Sequence, residues 1–245
     1  MIWPAGVGRL ALPTTDSTNA EGLRLMATAT TPVWITAAQQ TAGRGRRARP
    51  WASPPGNLYA TLAMRVHEAP QTVALRSFIA ALALREAIVT TTGTATGLSL
   101  KWPNDVLMNG GKVAGILLEA QSLPGAQALA IGIGVNLISH PESTGPDAIP
   151  PVSILSQTGV RLTPDTFLPH LAAAYAGWEA TFLSGGFAPI RTEWLAHAAR
   201  LGEPIRARTG SQTREGVFQT VDAQGNLMLR MVTGTVAIPA AEVFF

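Results

Sequence analysis

The chain has 245 residues, with 18 Lys and Arg against 15 Asp and Glu, four His and no Cys. This length fits one large domain, or a domain of ~150–200 residues with a small companion; 47% apolar and 13% charged residues exclude a disordered chain. Without Cys, a disulfide framework, a zinc–thiolate site, an iron–sulfur cluster and a cysteine nucleophile are all excluded. No apolar run approaches the ~18–20 residues that span a bilayer, and Met1–Arg9 lacks the ordered regions of a signal peptide. A soluble intracellular protein is the expectation. Only two basic residues are Lys, Lys101 and Lys112. A Lys kept in an Arg-rich background suggests a compact point charge that a guanidinium fork does not replace, against the simple alternative of chance placement.

In chain order, Asp16–Glu21 reads as a helix start, with Thr18 and Glu21 at capping-box spacing. Val33–Ala38 is a strand candidate. Gln40–Asn57 has no apolar period and is predicted to be a long loop, a feature usually tied to function. Leu58–Val66 reads as a strand and Gln71–Val89 as a buried helix. Leu98–Trp102 is a short strand stopped by Pro103. Two further strands, Lys112–Glu119 and Ala128–Ile138, follow turns at Asn109–Gly111 and Pro124–Gly125. Ser139–Pro151 is a second loop, and Thr163–Phe182 and Ala188–Arg200 are helical. After Gly202, short runs at Pro204–Arg208, Gly216–Val221, Leu227–Val232, Thr235–Pro239 and Val243–Phe245 alternate with turns, which predicts a small five-stranded barrel. A domain boundary is placed near Leu201, giving 1–201 and 202–245.

Four segments carry candidate chemistry. Gly43-Arg-Gly-Arg-Arg-Ala-Arg49, followed by Pro50 and Trp51, gathers four guanidinium forks on a glycine-interrupted loop suited to a polyanion; the plainer readings are a nucleic-acid patch or a solvated loop. Lys101-Trp-Pro-Asn-Asp105 holds a cation at the end of a rigid strand, or is ordinary strand-rim and turn chemistry. Gly111-Lys-Val-Ala-Gly115 continues to Glu119 with a mid-strand glycine. Gly132-Ile-Gly-Val-Asn136 has alternating glycines but neither the third Gly nor the following helix of a dinucleotide fingerprint.

Taken together with Asp16-Ser-Thr-Asn19, these segments resemble the biotin protein ligases, from about Leu10 to the C-terminus. The resemblance implies an α+β fold: a mixed sheet packed with helices, of the class II synthetase-like biotin/lipoate ligase type, plus a C-terminal SH3-like β-barrel. It implies an ATP-dependent enzyme that makes biotinyl-5′-AMP and passes biotin to a lysine of a biotin carboxyl carrier protein domain. ATP and biotin would be substrates, Mg²⁺ would arrive with the nucleotide, and no protein-held metal is expected. Ser17, Thr18, Asn19 and Gln40 match biotin-binding positions, with Gln39 as the register alternative to Gln40. Arg44, Gly45 and Arg46 match the segment over biotin and adenylate, and Lys101 the lysine at the carboxyl and phosphate oxygens. Gly115 and Gly132 would admit the apolar part of biotin. Arg46, Arg47, Arg49, Trp51, Asn104, Lys112 and Asn136 fall on the nucleotide side. Asp105 would act on the incoming lysine as orienter or proton acceptor, in which case Asp105→Asn depresses transfer more than adenylation. Ala48 stands where the family usually has Gly, Pro50 replaces a commoner basic or polar residue, and Ser139–Pro151 has no Trp to stack on adenine. Sixteen residues before Ser17 are too few for a winged-helix DNA reader of about 60 residues, so no DNA binding is expected. A cytoplasmic location, no membrane and, by analogy, a homodimer complete the expectation. The alternatives are a lipoate or octanoate ligase, a nucleic-acid-binding protein using Arg44–Arg49, and a non-catalytic biotin sensor.

Overall fold

The computed structural model describes residues 2–142, 149–210, 212–239 and 241–245. The larger sheet has seven strands: β1 (Gly8–Thr15), β2 (Val33–Gln40), β3 (Leu58–Val66), β4 (Leu98–Lys101), β5 (Asp105–Met108), β6 (Gly111–Leu123) and β7 (Ala126–Val135). Their order is β1-β2-β3-β7-β6-β5-β4, parallel only between β1 and β2. Because side chains alternate across a strand, each strand serves two faces. Trp34, Leu62, Ile116 and Ile133 point into the main core. There they meet α3 (Arg76–Thr92), α5 (Pro164–Gly185) and α6 (Phe187–Ala196); α3 is apolar almost all round, as a helix buried between a sheet and its neighbours must be. Ile35 and Ala63 point the other way, under α1 (Thr18–Met26). The α1 face is otherwise open, and the cleft described below lies on it.

Several expectations shift by small amounts. The predicted helix over Gln71–Val89 is interrupted at Leu75, giving α2 (Pro70–Ala74) ahead of α3. The break turns Arg76 inward, where it pairs with Glu68 at 2.6 Å and Glu179 at 2.8 Å. Strand β5 lies between the turns expected at Asn104–Asp105 and Asn109–Gly111 and was not predicted; four residues give too short a period to register, yet Val106 and Met108 are core residues. Helix α1 is capped at Ser17 rather than at Thr18 and has no side-chain capping bond; the Thr18 hydroxyl donates to Gln40 instead. Helix α4 (Ile154–Thr158) is short, and α5 begins at a capping box from Thr163. Residues 143–148 of the predicted Ser139–Pro151 loop lie outside the described residues.

The C-terminal unit corrects the barrel expectation. Strands β8 (Pro204–Thr209), β9 (Gln212–Val221), β10 (Leu227–Met231), β11 (Gly234–Ile238) and β12 (Glu242–Phe244) form an open antiparallel sheet in the order β11-β10-β9-β8-β12. Closure would require the two edge strands to pair. Among the described residues they do not: β12 is three residues long, pairs only with β8, and turns its Ala241–Glu242 end to the arginine loop.

Candidate active site

The strand register assembles the floor of the cleft. Lys101 lies opposite Asp105, Asp105 opposite Gly115, Gly115 opposite Gly134, and Gly134 opposite Tyr59, in one row across five strands. In the next row Leu117 lies opposite Gly132, and Gly132 opposite Thr61. Two glycines in mid-row leave the backbone as the floor, and a cleft of about 1170 Å³ opens above it, bordered by the start of α1, the arginine loop and β12.

At one end the groups are neutral hydrogen-bonding ones. The Gln40 Oε1 accepts from the Thr18 backbone N at 2.9 Å and the Thr18 hydroxyl at 3.1 Å, while Gln40 Nε2 donates to the Ser53 hydroxyl at 3.1 Å. Gln40 is thus the glutamine that faces Thr18. Asn19 is a wedge: its Oδ1 accepts from Thr61 at 2.7 Å and its Nδ2 donates to Leu117 O at 3.1 Å and Glu119 Oε2 at 2.8 Å. A Cβ on Gly132 would collide with the Asn19 carboxamide, so Gly132 makes room for Asn19.

The arginine loop folds back on itself. Gly45 N donates to Arg49 O at 2.8 Å, Trp51 N to Gly43 O at 2.9 Å, and Arg44 bridges to Pro50. A 3₁₀ turn over Arg46–Ala48 forms the tip, where Arg47 (φ 57°) and Ala48 (φ 55°) both adopt left-handed backbone. The four guanidinium groups do not point to one place. Arg44 turns back to Glu119, with Nε and a terminal nitrogen on one oxygen at 3.1 and 3.0 Å. Arg46 donates to Ala241 O at 3.2 Å, while Arg47 (2.9 Å) and Arg49 pair with Glu242. Trp51 lies flat on the glycine floor: a Cβ at Gly134 would stand 2.6 Å from the indole, and one at Gly115 3.1 Å. Its Nε1 is buried with no partner.

The other end is cationic. Asp105 contacts Lys112 Nζ at 2.6 Å and Lys101 Nζ at 3.8 Å. Burial pushes the Lys101 pKa down, and Lys112 and Arg46 add to that, with Asp105 opposing. Burial alone would raise the Asp105 pKa, but the two ammonium groups outweigh it and hold it below the usual carboxylate range. Asn104 Nδ2 donates to Ile116 O at 2.7 Å, fixing the turn that follows Lys101. Buried Asn136 donates to Val152 O at 2.9 Å and so ties down the strand-like segment paired at Lys112 and Pro151.

Every site residue read from the sequence lines this one cleft. The sequence reading missed Thr61, Ser53, Glu119 and Glu242, each of which acts on a motif residue from a distant segment. Among the described residues no group of three His, Asp or Glu could hold a metal ion, and Asp105 is already occupied by two ammonium groups. The residues present do not fit a protein-held metal.

Residues 10–136 match the Biotin/lipoate A/B protein ligase family, and residues 201–245 match the Biotin protein ligase C terminal domain. A biotin–[acetyl-CoA-carboxylase] ligase of Paracoccus denitrificans is 52% identical over 96% of this chain and 99% of its own length. A second such ligase, from Mycobacterium tuberculosis, is 32% identical over 94% and 85%. In structure, the biotin protein ligase from Aquifex aeolicus in complex with biotin and ATP superposes with a TM-score of 0.80 at 24% identity, covering 96% of this chain and 97% of that one. The chain belongs to the biotin/lipoate A/B protein ligase family, and within it to the biotin–protein ligases, which are enzymes.

Proposed function

We propose that the cleft activates biotin as biotinyl-5′-AMP at the expense of ATP and then passes the biotinyl group to a lysine of a biotin carboxyl carrier protein domain. The single observation that carries this reading is the polarity along the cleft. Neutral donors and acceptors stand where Thr18 and Gln40 border it, bare backbone lies at Gly115 and Gly134, and cations, buried Lys101 among them, stand at the other end. A ureido ring offers two donors and an acceptor, which hydroxyl and amide groups match. The Lys101–Tyr59 row covers four strand spacings, roughly 19 Å, enough for an acid and a nucleotide end to end.

In the first step a biotin carboxylate oxygen attacks the α-phosphorus. A C–O–P linkage forms and the bond to the β-phosphate oxygen breaks, so pyrophosphate leaves with the electron pair. Both reactants are anions, and Lys101, held still by burial and by Asp105, supplies positive charge at the reacting oxygens without reorganising. Lys112 and Arg46 extend that field over the nucleotide side. In the second step the neutral amine of the acceptor lysine forms a C–N bond to the biotinyl carbonyl carbon, the C–O bond to the phosphate breaks so that AMP leaves with the electron pair, and the amine's surplus proton passes to solvent. With its carboxyl held below the usual range, Asp105 is a poor proton acceptor near neutral pH; of its two roles toward the incoming lysine, orienting it is the one this favours. The unpaired Trp51 Nε1–H is a donor for a ligand oxygen over the glycine floor. Mg²⁺ is assigned to the nucleotide's phosphates. Two units are proposed, 1–201 and 202–245, in the cytoplasm; no helix among the described residues is long and apolar enough to cross a membrane.

The test is biotin-dependent exchange of labelled pyrophosphate into ATP, beside lipoate and octanoate, with Lys101→Ala as control. Exchange with biotin alone, lost in the variant, is expected. Exchange with lipoate and not biotin would overturn the substrate assignment.

A further inference from the structure

Lys101 and Lys112 are the only lysines in the chain, and both border the cleft in which the mixed anhydride would form. They share one carboxylate, that of Asp105, whose side chain is only 14% exposed. Its Oδ1 lies 2.6 Å from Lys112 Nζ and its Oδ2 3.8 Å from Lys101 Nζ. Arg46 faces the same group from the arginine loop, and Glu242 faces Lys101 from β12. The Phe245 ring lies 5.7 Å from Lys101 Nζ and has Arg200 against it at 5.2 Å, while the Trp51 ring lies 5.4 Å from Lys112 Nζ. Burial, and after it the charges of Lys112 and Arg46, push Lys101 toward its neutral form; Asp105 is the strongest charge opposing them, ahead of Glu242. Such surroundings carry a hazard. An acyl phosphate anhydride is attacked by a neutral amine and not by an ammonium ion, and the adenylation proposed above holds Lys101 at the reacting oxygens.

We infer that Asp105 guards Lys101 against the adenylate that Lys101 helps to form, and that Lys101 becomes a site of self-biotinylation when this carboxylate is absent. The inference rests on that adenylation. The acceptor lysine and Lys101 carry the same functional group, so only their surroundings decide which of them reacts. As an ammonium ion, Lys101 offers charge to the carboxyl and phosphate oxygens and has no electron pair to give. Without Asp105 its neutral Nζ forms a C–N bond to the biotinyl carbonyl carbon. The C–O bond to the phosphate breaks, AMP leaves with the electron pair, and the surplus proton passes to solvent. The product is an amide on Lys101, which removes the charge and ends turnover.

The test offers preformed biotinyl-AMP, with no acceptor protein, to the unaltered full chain, to Asp105→Asn, to Asp105→Glu, and to Asp105→Asn combined with Lys101→Arg. Supplying the adenylate makes the outcome independent of the adenylation step. The readout is biotin on each lysine by peptide mass spectrometry, and with two lysines in the chain the sites are resolved directly. At about pH 8, Asp105→Asn is expected to gain biotin at Lys101 about tenfold faster than the unaltered protein, the effect of taking one close opposite charge from an amine. Asp105→Glu should behave as the unaltered protein does, and Lys101→Arg should abolish the label at that position. The unaltered protein should take the same label only as pH rises toward the ordinary lysine value of about 10.4, a measurement that stands even if Asp105→Asn fails to fold. Labelling of folded Asp105→Asn at the unaltered rate, label confined to Lys112 or the amino terminus, or no label at Lys101 in the unaltered protein up to about pH 10.5 each overturns the inference. Labelling of Lys101 that depends on Asp105, in a protein without biotin-dependent pyrophosphate exchange, would support the guard and overturn the proposed adenylation.

Discussion

Lys101 is useful only as an ammonium ion, and its surroundings make that form easier to lose. With its pKa pushed down by burial, the charged form costs folding free energy at neutral pH, and that cost disappears as pH rises through the depressed value. Activity runs the opposite way, falling on the alkaline side as the cation is neutralised. The rate of adenylation between about pH 7 and 10.5 should therefore show a limb below the ordinary lysine pKa, and Lys101→Arg, slower throughout, should lack it because guanidinium stays charged. A second prediction concerns Glu119, which holds Arg44 and Asn19 at once. Removing it in Glu119→Ala frees the arginine and unseats the wedge. KM for biotin should rise about tenfold, the loss of one or two charge-assisted hydrogen bonds discounted for solvent, with thermal stability nearly unchanged; a steady-state titration of biotin measures it. Lys101 was legible because its neighbours are sequential. Glu119 was not, since its partners are 75 and 100 residues away and only the sheet register brings them together.

At the level of elements, two backbone positions set the shape of the cleft. Gly134 supports the Trp51 indole so closely that Gly134→Ala must displace it. The ring would rise into the space of the ligand, and biotin-dependent exchange should fall by at least tenfold while the chain still folds. The loop tip carries the opposite opportunity. Ala48 holds φ 55° at the cost of its Cβ, so Ala48→Gly should relieve about 1 kcal/mol of local strain, partly offset by a freer unfolded chain. Protection of the loop from trypsin is the measure. The sequence shows Ala48 standing where the family usually has Gly; the positive φ is the conformation that favours Gly there. Strand β3 was legible at both ends because its β-rich run is bounded by Asn57 and His67. Strand β5 was hidden because four residues cannot establish a period, and the α1 cap was misplaced because Thr18 serves the site before it serves the helix.

Across the whole molecule, the C-terminal sheet is joined to the cleft at more than the arginine cluster. Its turn at Asp222–Asn226 is shaped by the Asp222 carboxylate, which accepts from Gln224 N at 2.9 Å and Asn226 N at 2.8 Å. That turn presents Gly225 O to the Trp102 indole at 3.1 Å, directly beside Lys101. The open sheet, rather than a barrel, leaves β12 available to the arginine loop, so both sides of the cationic end lean on the C-terminal unit. The texture of short strands told the number of strands but not closure, which depends on what the edges meet. Gly225 has φ 82°, and a Cβ there would stand 2.9 Å from Leu75 and 3.1 Å from Phe78. Gly225→Ala should thus cost about 2–4 kcal/mol, from a strained backbone plus overpacking, and lower Tm by about 5 °C or more. Because the displaced turn pulls on Trp102, pyrophosphate exchange at a temperature where the variant is folded should drop too, through kcat more than KM. Val232→Ser, on the fully exposed tip of the β10–β11 hairpin, changes the same sheet without touching the contact and should leave both Tm and exchange as they are. A Gly225→Ala protein that melts early yet exchanges at the wild-type rate when folded would show that the turn supports stability alone.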